Sequence, residues 1–345
     1  MPAHYADLTP QTVLDALDAV SLRGDGRVLQ LNSYENRVFQ VFLEDGGAVV
    51  AKFYRPGRWS DQQILEEHAF ATQLLAAEVP VVAPLVLQAD PSAAQAAELL
   101  GSPATLARCG SGVAAQRFAV APRCGGREIE LENLPALTQL GRFLGRLHNV
   151  GAQQPFEHRL TLAPAADAER ARDLILDGPF LPAELQAAWR DASERAAAAV
   201  VQAFSTVGAR RLRLHGDCHH GNVLWRHVGD EVGPHIVDLD DAINGPAVQD
   251  LWMLAAGDAG TMQQQFAALL SGYEQMREFD RRELALVEPL RTLRMLRHSA
   301  WIAERWNDPA FPAAFPFFDS AAYWQQQVQQ LREQLEAMAE PPLRV

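Results

Sequence analysis

One segment, residues 212–241, reads LRLHGDCHHGNVLWRHVGDEVGPHIVDLDD. It contains an HGD triplet that ends at Asp217, then Asn222 five positions later, and Asp238 at the end of an apolar run. In kinase-type phosphoryl-transfer sites, an Asp accepts the proton of the attacking hydroxyl, while an Asn and a second Asp hold magnesium against the nucleotide phosphates. The segment therefore predicts Asp217 as the catalytic base and Asn222 and Asp238 as Mg²⁺ ligands, with Asp238 also essential for catalysis.

This segment has two other interpretations, as a pair of turns or as a zinc site. Asp217 and Asn222 could simply form turns, as these residue types often do. Short apolar stretches on both sides, at 212–214, 223–225 and 236–237, instead indicate strands that carry acidic residues at their ends. The second alternative is zinc, which nitrogen ligands suit, bound by His215, His219 and His220. The interleaved Asp and Asn favour a hard cation such as Mg²⁺.

Length and composition restrict the class of protein. A chain of 345 residues is long enough for two domains or lobes. The net charge of −13 and the lack of a long basic run argue against nucleic acid as a partner. The chain has no apolar run of membrane-spanning length, and its first twenty residues lack the features of a secretory signal. Three cysteines without CxxC spacing agree with a reducing cytoplasm.

The order of the predicted elements indicates an α+β, bilobal, protein-kinase-like fold with a β-rich N-terminal lobe and a helical C-terminal lobe. Thr9 and Pro10 predict the first helix start, and Ser60 with Gln63 predicts a capping box at the second. Strands are predicted over Val28–Leu31, Val38–Leu43, Ala48–Tyr54, Val79–Val86 and Phe118–Ala121. Later helices are predicted at about 133–149, 182–206, 246–256, 262–276, 280–305 and 319–339.

These elements define the predicted domains. Residues 1–121 form a nucleotide-binding lobe, in which 88–116 is a variable insertion with a short helix. Residues 122–126 form a hinge, and 127–345 form the helical catalytic lobe. Asp250 follows Asp238 after only 11 residues, and no A-P-E motif is present. A long activation loop that could be switched by phosphorylation is therefore not expected.

A strand lysine indicates the nucleotide side of the site. Lys52 follows a predicted hairpin, where kinases place the cation that holds the nucleotide phosphates. Glu67 on the next helix is its predicted partner, and Glu66 is the rival. Glu67 is preferred, and Glu66 is expected to matter little, because Phe70 and Leu74 continue the buried side of the helix from Glu67.

The phosphate loop departs from the usual G-x-G-x-x-G. The stretch LNSYENRV at 31–38 takes its place, and small polar residues there can still present N–H groups and a hydroxyl to phosphate oxygens. Ser33 and Asn36 of this loop are predicted to bind ATP, together with Val120 on the strand before the hinge. Asp240 is either a ligand of a second magnesium or a surface charge.

The motif HGDCHHGN followed by VDLD resembles the aminoglycoside-phosphotransferase and choline-kinase superfamily. Over residues 31 to about 312, the chain also resembles the bacterial stress response kinase A family through the strings LNSYENRV, VAKFYRPGRW, ILEEH, LHGDCHHGN, VDLDDA, NGPAVQDLWML and DPAFP. This resemblance implies a cytoplasmic, monomeric, ATP- and magnesium-dependent serine/threonine protein kinase that counters envelope and oxidative stress. It also implies that Ser33 lies near the ATP phosphates and that Asp250 anchors the catalytic loop.

Two rival functions remain open from the residues alone. A small-molecule alcohol kinase of the aminoglycoside phosphotransferase or choline kinase type would use the same motif, and an acidic chain suits a cationic acceptor. A pseudokinase that only binds a partner is disfavoured because Lys52, Asp217, Asn222 and Asp238 are all present. Cys218, beside the proposed base, is interpreted as a small packing residue rather than a redox switch.

Overall fold

The computed structural model describes residues 8–110, 115–228 and 231–345, which fall into two units. The first unit runs to Ile129 and also includes 157–159 and 221–242; the second contains the remainder. The strands are β1 (Gly24–Leu31), β2 (Arg37–Leu43), β3 (Ala48–Phe53), β4 (Ala97–Leu100), β5 (Leu106–Cys109), β6 (Gln116–Pro122), β7 (Arg127–Glu128), β8 (Leu212–Leu214), β9 (Val223–Val228), β10 (Glu231–Ile236) and β11 (Ile243–Gly245). The helices are α1 (Pro10–Asp18), α2 (Asp61–Ala76), α3 (Leu134–Gly151), α4 (Pro164–Asp177), α5 (Gln186–Val207), α6 (Ala259–Tyr273), α7 (Val287–Glu304), α8 (Ala310–Ala314) and α9 (Ala321–Ala339).

The first unit is built on a six-stranded antiparallel sheet in the order β1-β2-β3-β6-β5-β4. The turn from β2 to β3 passes through Gly46, whose φ of 88° favours glycine. Asp45 stabilises this turn because its carboxylate accepts a 2.8 Å hydrogen bond from the backbone N–H of Gly47. A separate sheet, in the order β10-β9-β7, completes the strands of this unit.

Capping by nearby side chains determines where α1 and α2 begin. Thr9 accepts a hydrogen bond from the backbone N–H of Thr12 at the start of α1, and the capping box of Ser60 and Gln63 begins α2. Both predicted starts are confirmed. Residues of α1 pack with Phe39, Phe53 and other side chains of the sheet in one core. A smaller cluster, which includes Ile64 of α2, packs around Tyr54.

The second unit is helical, with β8 and β11 as an antiparallel pair. Helices α3 and α6 approach so closely that a Cβ at Gly141 would lie 2.0 Å from the carbonyl oxygen of Leu269. At Gly272, a Cβ would lie 1.8 Å from the carbonyl oxygen of Thr138. No side chain fits at either position without separating the two helices.

The α+β class, with a β-rich N-terminal part and a helical C-terminal part, is confirmed. The predicted limits of the lobes and of the hinge stay predictions. In the part of the chain that is described, no helix is long and apolar enough to cross a membrane.

Several predicted elements are wrong in detail. Val79–Val86 is not a strand but makes one isolated bridge, from Val81 to Ile236, because Pro80 and Pro84 cannot donate to a ladder. Residues 88–116 carry the hairpin of β4 and β5 instead of a short helix, and 111–114 lie outside the described residues. Residues 246–256 form short 3₁₀ turns, and α4 and α8 were not predicted.

Candidate active site

The predicted base Asp217 lies in the second unit, just after β8. The chain turns at Gly216, whose φ of 88° lies in the left-handed region. Glycine adopts this conformation without strain, whereas arginine, the residue of the protein-kinase H-R-D motif, would not. The backbone N–H of Asp217 points to His215 and donates to its Nδ1 over 3.3 Å.

Asp250 anchors this turn. One of its carboxylate oxygens accepts from the backbone N–H of His215 and the other from that of Gly216, both over 2.8 Å. His148 lies 3.1 Å from the same carboxylate and 2.8 Å from the Tyr273 hydroxyl. Asp250 is fully buried, so these contacts satisfy a charge that would otherwise be costly. The anchoring role that the resemblance implied for Asp250 is thus present in the structure.

The Asp217 carboxylate has two cation-forming neighbours. It accepts a hydrogen bond from Nη1 of Arg294 on α7, and Nε2 of His219 lies 3.6 Å away. Burial alone would raise the pKa of Asp217, but the Arg294 guanidinium holds it below its ordinary value. Asp217 is therefore ionised near pH 7 and able to accept a proton.

Cys218 and the histidines of this segment show no sign of metal or redox chemistry. Cys218 is fully buried, and burial raises the pKa of its thiol well above the ordinary range. Among the described residues, no group of three or more His, Cys, Asp or Glu side chains is placed to hold a metal ion. The zinc alternative for His215, His219 and His220 therefore finds no support.

Asn222 and Asp238 lie in the first unit, at one end of the β9–β10 ladder. Val223 pairs with Ile236, and the backbone N–H of Val237 donates to the Asn222 carbonyl over 3.1 Å. Asp238 follows with a φ of 61°, a conformation that Asp tolerates better than most residues but that still costs energy. Its side chain is 55% exposed, so its oxygens are open to a ligand.

An amide and a carboxylate at one strand end fit magnesium. Mg²⁺ is usually held by one or two carboxylates, water and the phosphates of a nucleotide, rather than by a complete protein cage. The donor set of Asn222 and Asp238 meets that description. These two residues would hold the ion, which would neutralise charge on the transferred phosphate when bound.

Lys52 pairs with the acidic segment after β10. Its Nζ lies 3.1 Å from Oδ1 of Asp238 and 3.0 Å from Oδ1 of Asp240. Burial would lower the pKa of Lys52, but these two carboxylates raise it well above its usual value. The lysine is therefore charged, as a phosphate-binding role requires.

Glu67 lies on the buried face of α2, as predicted, and is 7% exposed. Burial raises the pKa of its carboxyl, which the charge of Lys52 lowers in part. The ion pairs found for Lys52 among the described residues are nevertheless with Asp238 and Asp240. The direct pair of Lys52 and Glu67 stays a prediction.

Asp240 is 3% exposed, so the surface-charge interpretation is wrong. Besides Lys52, its carboxylate accepts hydrogen bonds from Arg58 and from Nδ2 of Asn36, the latter over 3.0 Å. The charges of Lys52, Arg58 and Arg159 overcome the effect of burial and lower the pKa of Asp240. The carboxylate is ionised and enclosed by cations, and a second magnesium at Asp240 stays a prediction.

The predicted ATP-binding residues Ser33 and Asn36 stabilise their own loop. Ser33 Oγ accepts a 3.3 Å hydrogen bond from the backbone N–H of Asn36, and Asn36 Oδ1 accepts from the backbone N–H of Arg55. Val120 is fully buried in the core of the first unit, and its carbonyl accepts from the Leu85 N–H. Nucleotide contacts of all three stay predictions.

Sequence reasoning missed three arginines, of which one stabilises the loop before β2 and two contact the acidic segment, residues 238–241. Arg55 donates to the carbonyls of Tyr34 and Glu35, and Arg58 donates to Asp240 and Asp241. Their signal was present, because both follow Lys52 in the string KFYRPGRW.

The third is Arg159, whose sequence surroundings gave no signal. It is 3% exposed, donates to the carbonyls of Asp240 and Ala242, and lies 4.0 Å over the Trp59 ring. Glu66 fixes its backbone by accepting hydrogen bonds from the N–H groups of 157, 158 and 159, over 2.5, 2.9 and 2.7 Å. Glu66 therefore has a structural role, whereas the sequence led us to expect that it matters little.

Fold and site together are those of a kinase-type phosphotransferase. The family described as "Phosphotransferase enzyme family" matches residues 27–287. Stress response kinase A from Escherichia coli K12 is 43% identical over 341 residues, which cover 99% of this chain and 97% of the relative. A Salmonella typhimurium relative named serine/threonine protein kinase RdoA is 41% identical with the same coverage. The chain belongs to the stress response kinase A family within the phosphotransferase enzyme family.

Solved structures agree on the fold. Amicoumacin kinase hAmiN, in complex with AMP-PNP, Ca²⁺ and Ami, superposes with a TM-score of 0.69 at 19% identity and covers 99% of this chain and 96% of its own. A microcompartment-associated aminopropanol kinase gives a TM-score of 0.68 at 15% identity, covering 96% of each chain. Choline kinase LicA from Streptococcus pneumoniae gives 0.61 at 12% identity, covering 95% of this chain and 98% of its own.

Proposed function

We propose that this kinase transfers the γ-phosphoryl group of ATP, with Mg²⁺, to serine or threonine hydroxyls of proteins during bacterial stress. The observation that carries phosphoryl transfer is the anchored HGD turn, where Asp250 fixes the backbone before an ionised Asp217. The protein acceptor is supported by the relative named serine/threonine protein kinase RdoA. The stress context is supported by the names of the other relatives.

Each residue has a part in this proposed chemistry. Asp217 accepts the proton of the acceptor hydroxyl as its oxygen bonds to the γ-phosphorus and the bond from that phosphorus to the β–γ bridging oxygen breaks, so that ADP leaves. A positioned base of this kind contributes roughly 10²–10⁴-fold. Asn222 and Asp238 would hold Mg²⁺, which would supply positive charge to the transferred phosphate when bound, and Lys52 contributes a fixed positive charge. The use of ATP is supported by AMP-PNP in the amicoumacin kinase complex.

Labelled ATP, Mg²⁺ and a general protein substrate provide the test. We expect acid-stable phosphoserine or phosphothreonine, and its loss in Asp217→Asn, which keeps the shape of the side chain but cannot accept the proton. Several structural neighbours carry the names of small-molecule kinases. Label found only on small alcohols, with none on any protein, would therefore replace this proposal by a small-molecule alcohol kinase.

A further inference from the structure

The guanidinium of Arg294 contacts the carboxylate of Asp217, the predicted base. Nη1 donates to Oδ1 of Asp217 and lies 3.1 Å from the sulphur of Met253. The side chain of Arg294 is 47% exposed and that of Asp217 is 25% exposed. An acceptor whose hydroxyl reaches Asp217 therefore meets Arg294 as well.

The contacts of Arg294 use only some of its N–H groups, so others can donate to a ligand. A guanidinium carries five N–H donors in a planar fork that matches carboxylate and phosphate oxygens. Among the described residues, the hydrogen bonds of Arg294 go through Nη1. Nε and Nη2 can thus donate to an anionic group next to the acceptor hydroxyl.

Arg294 is also the main positive charge next to Asp217. His219 lies near Asp217, but burial lowers the pKa of its ring, which is then neutral near pH 7. Arg291, one turn earlier on α7, is offset by Glu288 at 3.2 Å. Arg297, one turn later, is exposed and adds a second positive charge to the same part of the helix.

We propose that Arg294 is a specificity-determining residue that selects acceptors with a negatively charged group beside the hydroxyl. For the protein kinase activity proposed above, on which this inference rests, these acceptors are serine or threonine residues flanked by acidic side chains. The net charge of −13 suggests a cationic acceptor, but local charge at the site decides which acceptor binds.

Two synthetic peptides test this directly. Both have the same length and one serine, and they carry either Asp and Glu or Lys and Arg at the flanking positions. We expect kcat/KM to be at least about tenfold higher for the acidic peptide, a difference typical of one charge pair at a binding site. Arg294→Glu should abolish or reverse this ratio, and Arg294→Lys should retain part of it.

The matched control is Arg195→Glu. Arg195 lies on α5 and pairs with Asp191 at 3.7 Å, away from the catalytic loop in the contacts described. The substitution changes the net charge by the same amount, so it should leave the peptide ratio unchanged. If Arg294→Glu does not fold, Arg294→Gln removes the charge with less disturbance and should also lose the preference.

The outcomes separate this inference from the proposed function. Equal loss of kcat/KM for both peptides in the Arg294 variants would mean that Arg294 only orients Asp217, and the inference would fail. A wild-type preference for the basic peptide would overturn it as well. If only small alcohols are phosphorylated, the protein kinase proposal fails, and the same ratio is measured with glycerate and choline. Preference for glycerate would then support the role of Arg294, and preference for choline would refute it.

Discussion

The Asn36 amide donates a 3.0 Å hydrogen bond to the Asp240 carboxylate, although 204 positions separate the two residues. The bond connects the loop before β2 to the acidic segment after β10. Lys52 and Arg58 contact the same carboxylate, so a buried anion holds one amide and two cations in place. The position of the Lys52 ammonium therefore depends on Asp240, a residue that the sequence alone left open as a surface charge.

Asp240→Asn should destabilise the protein. Removing one member of a buried charge cluster leaves the others without compensation, which costs about 3–5 kcal/mol. Urea unfolding would measure the loss, with Asp241→Asn as the control, because Asp241 is the exposed partner of Arg58 and should cost less than about 1 kcal/mol. An Asp240→Asn protein of unchanged stability that needs more Mg²⁺ would instead identify Asp240 as a metal ligand.

Glu66→Ala should lower both stability and activity. Three backbone N–H groups lose their charged acceptor, and hydrogen bonds to charged groups contribute about 1.5–3 kcal/mol each. Arg159 would lose its fixed position against the carbonyls of Asp240 and Ala242. Thermal unfolding and phosphoryl-transfer rates should both reveal the change, whereas Glu98→Ala, which removes a carboxylate paired with Arg108 at the surface, should behave as wild type. Normal activity in Glu66→Ala would show that Arg159 does not need this support.

The metal assignment predicts a defined response to Mg²⁺. Asp238→Asn should raise the Mg²⁺ concentration for half-maximal rate by about tenfold or more, because the ligand loses its full charge. Asparagine tolerates the left-handed conformation at this position, so the backbone is preserved. Asn222→Ala should have a smaller effect, and Asp241→Asn should have none. Unchanged Mg²⁺ dependence in Asp238→Asn would rule out Asp238 as a ligand.

The ion pair of Asp217 and Arg294 predicts a pH effect. Burial alone would raise the pKa of Asp217, but the Arg294 guanidinium outweighs burial and holds the pKa below its ordinary value. Asp217 works as a base only when ionised, so its protonation should not limit kcat/KM of the native enzyme between pH 5 and about 8. In Arg294→Gln, the pKa rises, and the acid limb of the profile should move up by about one unit or more. An acid limb that stays in place in this variant, as it should in Arg195→Gln, would contradict the assignment.

Cys218 should not act as a peroxide sensor. Its thiol is fully buried, and its raised pKa keeps it protonated, whereas oxidation proceeds through the thiolate. Peroxide should therefore inactivate the native enzyme and Cys218→Ala at the same rate, and Cys218→Ala should keep activity within a few-fold. Cys124, which is only partly buried, supplies the comparison as Cys124→Ala. Protection by Cys218→Ala alone would reverse this conclusion.

Local sequence signals predicted what local interactions determine. The hydroxyl of Thr9 and the pair of Ser60 and Gln63 act within a few residues, and both helix starts appear where expected. The hairpin of β4 and β5 was missed because residues 88–116 are rich in Ala, which favours helix. Pairing of β5 with β6 overrides that preference, since strand formation depends on the neighbouring strand more than on intrinsic propensity.

The candidate site likewise contains residues that the local sequence predicts and residues that it does not. The residue types and spacing of Asp217, Asn222 and Asp238 predict the chemistry, because the motif lies within one short segment. The partners of Lys52 could not be predicted from spacing, because Asp238 and Asp240 lie far along the chain, whereas the predicted partner Glu67 lies on the next helix. Arg159 is still less accessible to sequence reasoning, because it acts through its guanidinium on two distant backbone carbonyls.

The close contact between α3 and α6 has a consequence for the activity of variants of this enzyme. His148 lies on α3 and Tyr273 on α6, and both belong to the hydrogen-bonded chain that ends at Asp250. The helix spacing that Gly141 and Gly272 permit is thus transmitted to the backbone beside the base. A single methyl group at either glycine would leave every predicted catalytic residue in the sequence and yet shift the backbone next to Asp217. A substitution at Gly141 or Gly272 in a natural variant of this family can therefore reduce activity, although neither glycine belongs to the predicted active site.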